Sequence, residues 1–138
     1  MKLVTTTIDV RTPGPGLVSI TAQINRWIST QAGGDGQLTL FIRHTSASLV
    51  IQESADPDVL KDLEDFMRKL APWAARYRHN TEGPDDMPAH IRAALTQTSI
   101  TIPVIGGRLA LGTWQGIYVW EHRADPQQRQ VVVQRLTA

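Results

Sequence analysis

From Thr98 to Leu136 the chain runs through "TSITIPV", "RLALGTWQGIYVWEH" and "RQVVVQRL" with only turn signals between them. Each run is rich in β-branched and aromatic residues. "IGG" and "RADPQQ" supply the turns, and Gly112 and Gly116 can bend the middle run. Successive strands joined in this way point to antiparallel sheet. The N-terminal part carries the same signature. "LVTTTIDV", residues 3–10, reads as a strand broken by "RTPGPG", and "QLTLFIRH" places Leu38, Leu40, Ile42 and His44 on one strand face. Residues 45–52 either continue extended or bend.

Helical spacing interrupts these strands. Leu17, Ile20, Ile24, Trp27, Ile28 and Gln31 follow a helical period that "GGDG" ends. "ADPDVLKDLEDFMRKLAP" is the clearest helix: Asp56 can cap it, Pro57 suits its first turn, and Val59, Leu60, Leu63, Phe66, Met67 and Leu70 form an apolar stripe. A long loop is expected over residues 73–86, then a short helix opened by Pro88 and running to about Leu95. The sum is α+β, a compact single domain over residues 1–138. It is mostly antiparallel sheet or sandwich with two or three helices, without the regular strand–helix alternation of a doubly wound sheet.

The length of 138 residues suits one domain. A net charge of +1 with scattered Lys and Arg argues against a nucleic-acid partner. Absence of cysteine removes thiolate chemistry and disulfides. No apolar run approaches the roughly 20 residues that span a bilayer, and "MKLVTTTIDV" lacks the apolar core of a signal peptide. The expectation is a soluble cytoplasmic protein with no membrane partner.

Without cysteine, imidazole is the only strong soft-metal donor left. His44 ends a strand, His79 lies in the long loop and His90 falls in the short helix. Three rings converging from these places would leave a coordination position open for water or substrate. No HExxH or close His pair accompanies them, and satisfied or surface histidines are the plainer reading. Glu53 is open to three readings: general base, metal-bridging carboxylate or exposed side chain. Asp56 is explained by capping alone, and Asp85 and Asp86 by the start of the short helix. In "HTSAS", Thr45, Ser46 and Ser48 beside Arg43 could hold an anion or could be the hydroxylated face of a strand. In "GTWQGIYVWEH", Ile117, Val119 and Glu121 share one face, and Tyr118, Trp120 and His122 the other. The strand either packs on both sides or meets a second subunit. A bulge around Gly112 and Gly116 would turn Trp114 and Gln115 toward a pocket.

"HTSASLVIQESADPDV", "YRHNTEGPDDMPAHI" and "GRLALGTWQGIYVWEHR" together resemble the YjbQ-like family, catalogued as secondary thiamine-phosphate synthase. The similarity runs in order over nearly the whole chain. It implies a compact α+β fold assembled as a homotrimer, with sites near subunit boundaries. It also implies a divalent metal, zinc or magnesium, held by His44, His79 and His90, and acidic site positions at Glu53, Asp56 and Glu121. The implied reaction joins hydroxymethylpyrimidine diphosphate to a thiazole phosphate and releases pyrophosphate. That chemistry needs charge neutralisation at the leaving group and a wall for a flat ring. Arg43 or Arg92 is assigned to the phosphate, and Trp114 or Tyr118 to the ring. Metal-dependent hydrolysis of a phosphorylated small molecule and non-catalytic ligand binding are the competing readings.

Overall fold

The computed structural model describes residues 1–138. Eight strands and three helices follow in the order β1 (Lys2–Thr12), β2 (Gly16–Ser19), α1 (Thr21–Ser29), β3 (Gly36–Ile42), β4 (Ala47–Glu53), α2 (Pro57–Leu70), α3 (Asp86–Leu95), β5 (Ser99–Ile105), β6 (Arg108–Leu109), β7 (Gln115–Glu121) and β8 (Gln127–Thr137). All pairings are antiparallel. A five-stranded sheet in the order β1-β8-β3-β5-β6 faces a three-stranded sheet in the order β2-β7-β4. The α+β expectation therefore holds, with three helices on a two-sheet sandwich.

The core lies between the sheets. Leu38, Leu40 and Ile42 of β3 and Val131 and Val133 of β8 meet Leu49 of β4 and Ile117 and Val119 of β7. Each of these side chains is fully buried, and the alternation in β3 and β8 is the period-2 pattern of strands with one inward face. Ile20, Ile24 and Ile28 on one face of α1 close the core.

Two local expectations are revised. The helical period from Leu17 begins four residues late, because Gly16–Ser19 pairs with β7 instead, Val18 against Val119. Only from Thr21 does the chain coil, with the Thr21 hydroxyl accepting the Ile117 N–H at 2.8 Å. The stripe on α2 is turned away from where apolarity alone would point it. Glu64 and Met67 are buried, whereas Phe66 is 61% and Leu70 51% exposed. The Glu64 carboxylate causes this, because it accepts the Trp120 indole N–H at 2.7 Å inside the fold. The short helix also starts early, at Asp86 and not at Pro88, while other signals read as expected. Asp56 caps α2 through a bond from the Asp58 N–H (2.9 Å), and Gly106–Gly107 makes a two-residue hairpin with both φ angles positive, +57° and +78°.

β7 is the strand that gathers the rings. It is the middle strand of its sheet, and everything from Gly116 to His122 is buried. Ile117 and Val119 face the other sheet, while Trp120 reaches α2. Two-sided packing within one chain accounts for the aromatic crowding.

Candidate functional site

β4 and β7 run antiparallel, with Ala47 opposite Glu121 at one end and Glu53 opposite Gln115 at the other. Six residues of strand separate these ends, roughly 20 Å. The residues singled out from the sequence are split by that distance. Arg43, His44, Thr45, Ser46 and Glu121 cluster at the first end. Glu53, Asp56, Trp114 and Gln115 lie at the second, so within one chain they do not join the histidines.

At the first end, Glu121 is wholly buried and both of its oxygens are occupied. Thr12 Oγ1 and Arg129 Nε each donate to Oε1 at 2.7 Å. Arg129 Nη2 donates to Oε2 at 2.5 Å, and the amides of His122 and Arg123 add bonds at 3.1 and 3.0 Å. A carboxylate so saturated has no lone pair to offer a substrate proton. In this geometry Glu121 is engaged with Arg129, which in turn donates to Ser46 Oγ at 3.0 Å, and it does not face the cleft where the catalytic role expected for it would place it. Ser46 is buried under that contact and faces no cleft.

His44 is held by the same network. Its Nε2 accepts the Gln130 N–H at 2.8 Å, which leaves Nδ1 as the protonated nitrogen, 3.4 Å from Arg129 Nη1. Burial and the Arg129 charge lower its pKa below the usual histidine value. With one nitrogen bonded to the backbone and the other carrying hydrogen, His44 presents no free lone pair. It is not part of the compact donor group that the structure forms.

That group is His79, Asp86 and His90, whose ligand atoms all lie within 4.8 Å of one another. The loop before α3 supplies His79, and the first turns of α3 supply Asp86 and His90, four residues apart on one helix face. Asp86 Oδ2 is 2.6 Å from His79 Nε2 and 3.2 Å from His90 Nε2. Arg123 Nη1 holds the other oxygen at 2.9 Å. Burial opposes ionisation of Asp86, but His79, His90 and Arg123 overcome it and keep the carboxyl below its ordinary pKa. His90 Nδ1 donates to the Thr45 carbonyl at 2.9 Å. Neutral His90 then carries its bare lone pair on Nε2, aimed at a carboxylate oxygen. Two electron-rich atoms at that spacing require a cation between them, a proton or a metal ion. The donor set is two imidazoles and one carboxylate, which suits a divalent ion with open positions.

Beside His90 opens a cleft of about 450 Å³, within the range of small-molecule sites. Phe41, Arg43, His44, Thr45 and His90 are among the residues that line it. Phe41 is 47% exposed and lines this cleft together with His90. Trp114 is 63% exposed at the far end of the sheet, and Tyr118 is buried with its hydroxyl donating to the Glu53 carbonyl. Neither walls this cleft. Arg92 departs too. It follows His90 by two residues, roughly 200° around the helix, and points into the protein on the opposite side of α3.

Asp86 and Phe41 are thus candidate site residues that the sequence reading did not single out. Asp86 looked like a helix-start acid, and only its i, i+4 relation to His90 signalled more. Phe41 alternates with Leu40 and Ile42 in β3, on the face that the sequence reading left aside.

The sequence matches the profile of the family described as UPF0047 protein YjbQ-like over residues 6–138. A UPF0047 protein of Synechocystis sp. is 54% identical over 125 residues, covering 90% of this chain and 85% of that protein. The YjbQ protein of Escherichia coli O157:H7 is 44% identical over 97 residues, 70% of each chain. Among solved structures, a YjbQ/UPF0047 family protein of Clostridium acetobutylicum superposes with a TM-score of 0.88 at 34% identity, covering 95% of this chain and 99% of that one. No helix of this chain is long and apolar enough to cross a membrane.

Proposed function

The chain belongs to the YjbQ-like UPF0047 family, and on that premise we propose that it is a cytoplasmic, divalent-metal-assisted enzyme acting on a phosphorylated small molecule. The single observation that carries this reading is the His79–Asp86–His90 group, whose ligand atoms lie within 4.8 Å of one another. His79, Asp86 and His90 would hold the ion. A divalent ion, zinc or magnesium, would supply charge neutralisation for a departing phosphate or diphosphate. Arg43 and Thr45 stand in the adjoining cleft to bind the remaining oxygens, and Phe41 offers a face to a flat ring.

The specific reaction drawn from the family resemblance is thiamine-phosphate formation. The thiazole nitrogen attacks the pyrimidine methylene, a C–N bond forms, the C–O bond breaks, and pyrophosphate leaves with the electron pair. Purified protein incubated with both substrates and zinc or magnesium is expected to release one pyrophosphate per thiamine phosphate, and the Asp86→Asn and His90→Ala variants are expected to lose turnover. Phosphate release from a substrate panel without a second acceptor would assign hydrolysis instead. Binding without turnover on either assay would leave a ligand-binding protein and reject the enzyme reading.

Self-association as a homotrimer completes the proposal. Support for a second copy comes from α2, where Val59, Leu63, Phe66 and Leu70 recur at intervals of four, three and four residues with the last two well exposed. Phe66→Lys is expected to shift the sedimentation coefficient to that of a monomer. An unchanged coefficient would remove α2 from the contact.

A further inference from the structure

The loop between α2 and α3 forms a second cleft of about 460 Å³. Trp73, Arg76, Tyr77, His79, Asn80 and Pro84 line it, and it shares no residue with the cleft beside His90. The loop is held in shape at three points. The Tyr77 hydroxyl donates to the Pro72 carbonyl at 3.0 Å, His79 Nε2 meets Asp86 Oδ2 at 2.6 Å, and Arg123 Nη2 donates to the Glu82 carbonyl at 3.0 Å. A wall fixed in this way costs a ligand little ordering.

The donor group therefore stands between two clefts, with His90 in the wall of one and His79 in the wall of the other. Its two imidazoles differ at their second nitrogen. His90 Nδ1 is taken by the Thr45 carbonyl at 2.9 Å. The only hydrogen bond of the His79 ring runs through Nε2, and its side chain is 46% exposed. Histidines that ligate a metal almost always donate their other N–H to a carboxylate, a carbonyl or a water. With Nε2 on an ion, neutral His79 carries its proton on Nδ1, and no protein acceptor meets it. No carboxylate lines the loop cleft either. Arg76 is exposed and enters none of the protein's ion pairs. The Asn80 amide adds a neutral donor, and Trp73, Tyr77 and Pro84 offer ring faces.

Resting on the reading of His79, Asp86 and His90 as ligands of a divalent ion, we propose that the loop cleft binds a phosphate monoester carried on a flat ring. Its oxygens accept from His79 Nδ1, Arg76 and Asn80, and the anion and the ion bind cooperatively. Three donors suit a phosphoryl group, whose three oxygens can each take one. Without an ion, neutral His79 keeps its proton on Nε2 against Asp86, and Nδ1 becomes an acceptor that repels the anion.

Phenylphosphonate is the probe, because it carries phosphoryl oxygens on a ring and is not hydrolysed. Methylphosphonate is its counterpart without the ring. Zinc affinity of the full chain is measured first by calorimetry, and the Trp73 indole resonance then follows each phosphonate. With zinc loaded, phenylphosphonate is expected to move that resonance with a Kd on the order of 1 mM. Methylphosphonate with zinc, and phenylphosphonate without it, are expected to bind at least about tenfold more weakly. By reciprocity, saturating phenylphosphonate should tighten zinc binding about tenfold. Arg76→Ala should weaken phenylphosphonate about tenfold and leave zinc affinity in its absence within about twofold. Arg43→Ala, in the other cleft, should leave the Trp73 response unchanged. Zinc binding with an unmoved Trp73 resonance, with an equal response in Arg76→Ala, or without coupling to phenylphosphonate overturns the proposal and leaves the metal reading intact. A chain that binds no zinc overturns both.

Discussion

At one end of the β4–β7 pair, where Ala47 faces Glu121, ionisable groups sit inside the protein and nearly every donor has an acceptor. At the other, where Glu53 faces Gln115, Asp56, Trp114 and Gln115 lie open to solvent. The backbone ladder is the same along its length; the difference is what surrounds it. β8 and α3 cover the first end and bring Arg129, Asp86 and His90 to it, so charges there must be paired or coordinate something. Within one chain Asp56, Trp114 and Gln115 at the second end stay exposed and are free to be hydrated. Polar residues of similar kind thus have different duties, set by the elements that fold over them.

The sharpest way to break this contrast is to unpair the buried end. Arg129→Met leaves Glu121 as an uncompensated buried charge, and urea unfolding should show a loss of about 3–5 kcal/mol. Next in size is the donor group. If it holds a metal ion, Asp86→Asn should weaken zinc binding by at least about a hundredfold, near 2.7 kcal/mol, in calorimetric titration of the intact protein.

A third effect lies just behind that end. His122 is fully buried, with Nε2 on Ser48 Oγ at 2.9 Å, and burial, aided by Arg92 and Arg129, lowers its pKa from 6.5 to about 3. The folded form therefore keeps the ring neutral. Above pH 6.5 both states are neutral and nothing is lost. As pH falls from 6.5 toward 3, only the unfolded chain takes up the proton, and stability declines by about 1.4 kcal/mol per pH unit. His122→Gln should flatten that slope in urea midpoints measured across the window.

The open end should respond least. Asp56→Ala removes the α2 cap and should cost about 1 kcal/mol. Glu53→Gln and Trp114→Ala should change stability by less than about 0.5 kcal/mol and leave metal content untouched. A cost of several kcal/mol at Trp114 would mean that this end is covered in the assembled protein.

The same contrast explains what could be read from the chain alone. Strands β1, β3, β5, β7 and β8 were legible because period-2 alternation and β-branched runs are local signals. So was the cap of α2. β2 was not, since Gly16–Ser19 is extended only through its pairing with β7, a contact between residues a hundred positions apart. The candidate donor group was half legible. His79 and His90 are the residue types the sequence offers for it, and helical spacing links His90 to Asp86. That His44 turns its Nε2 to the Gln130 amide, and that Glu121 is consumed by Arg129, depend on β8 crossing from the far end of the sequence.

The two faces of α3 carry a last consequence, for how this stretch tolerates insertions and deletions. Asp86 and His90 share one face of α3 and Arg92 takes the other only because the residues between them keep count. One residue added or removed between His90 and Arg92 would swing everything beyond it by roughly 100° about the helix axis. Arg92 would then leave its enclosure or His90 its carboxylate. A substitution in α3 alters one contact, whereas a change in its number of residues shifts several at once.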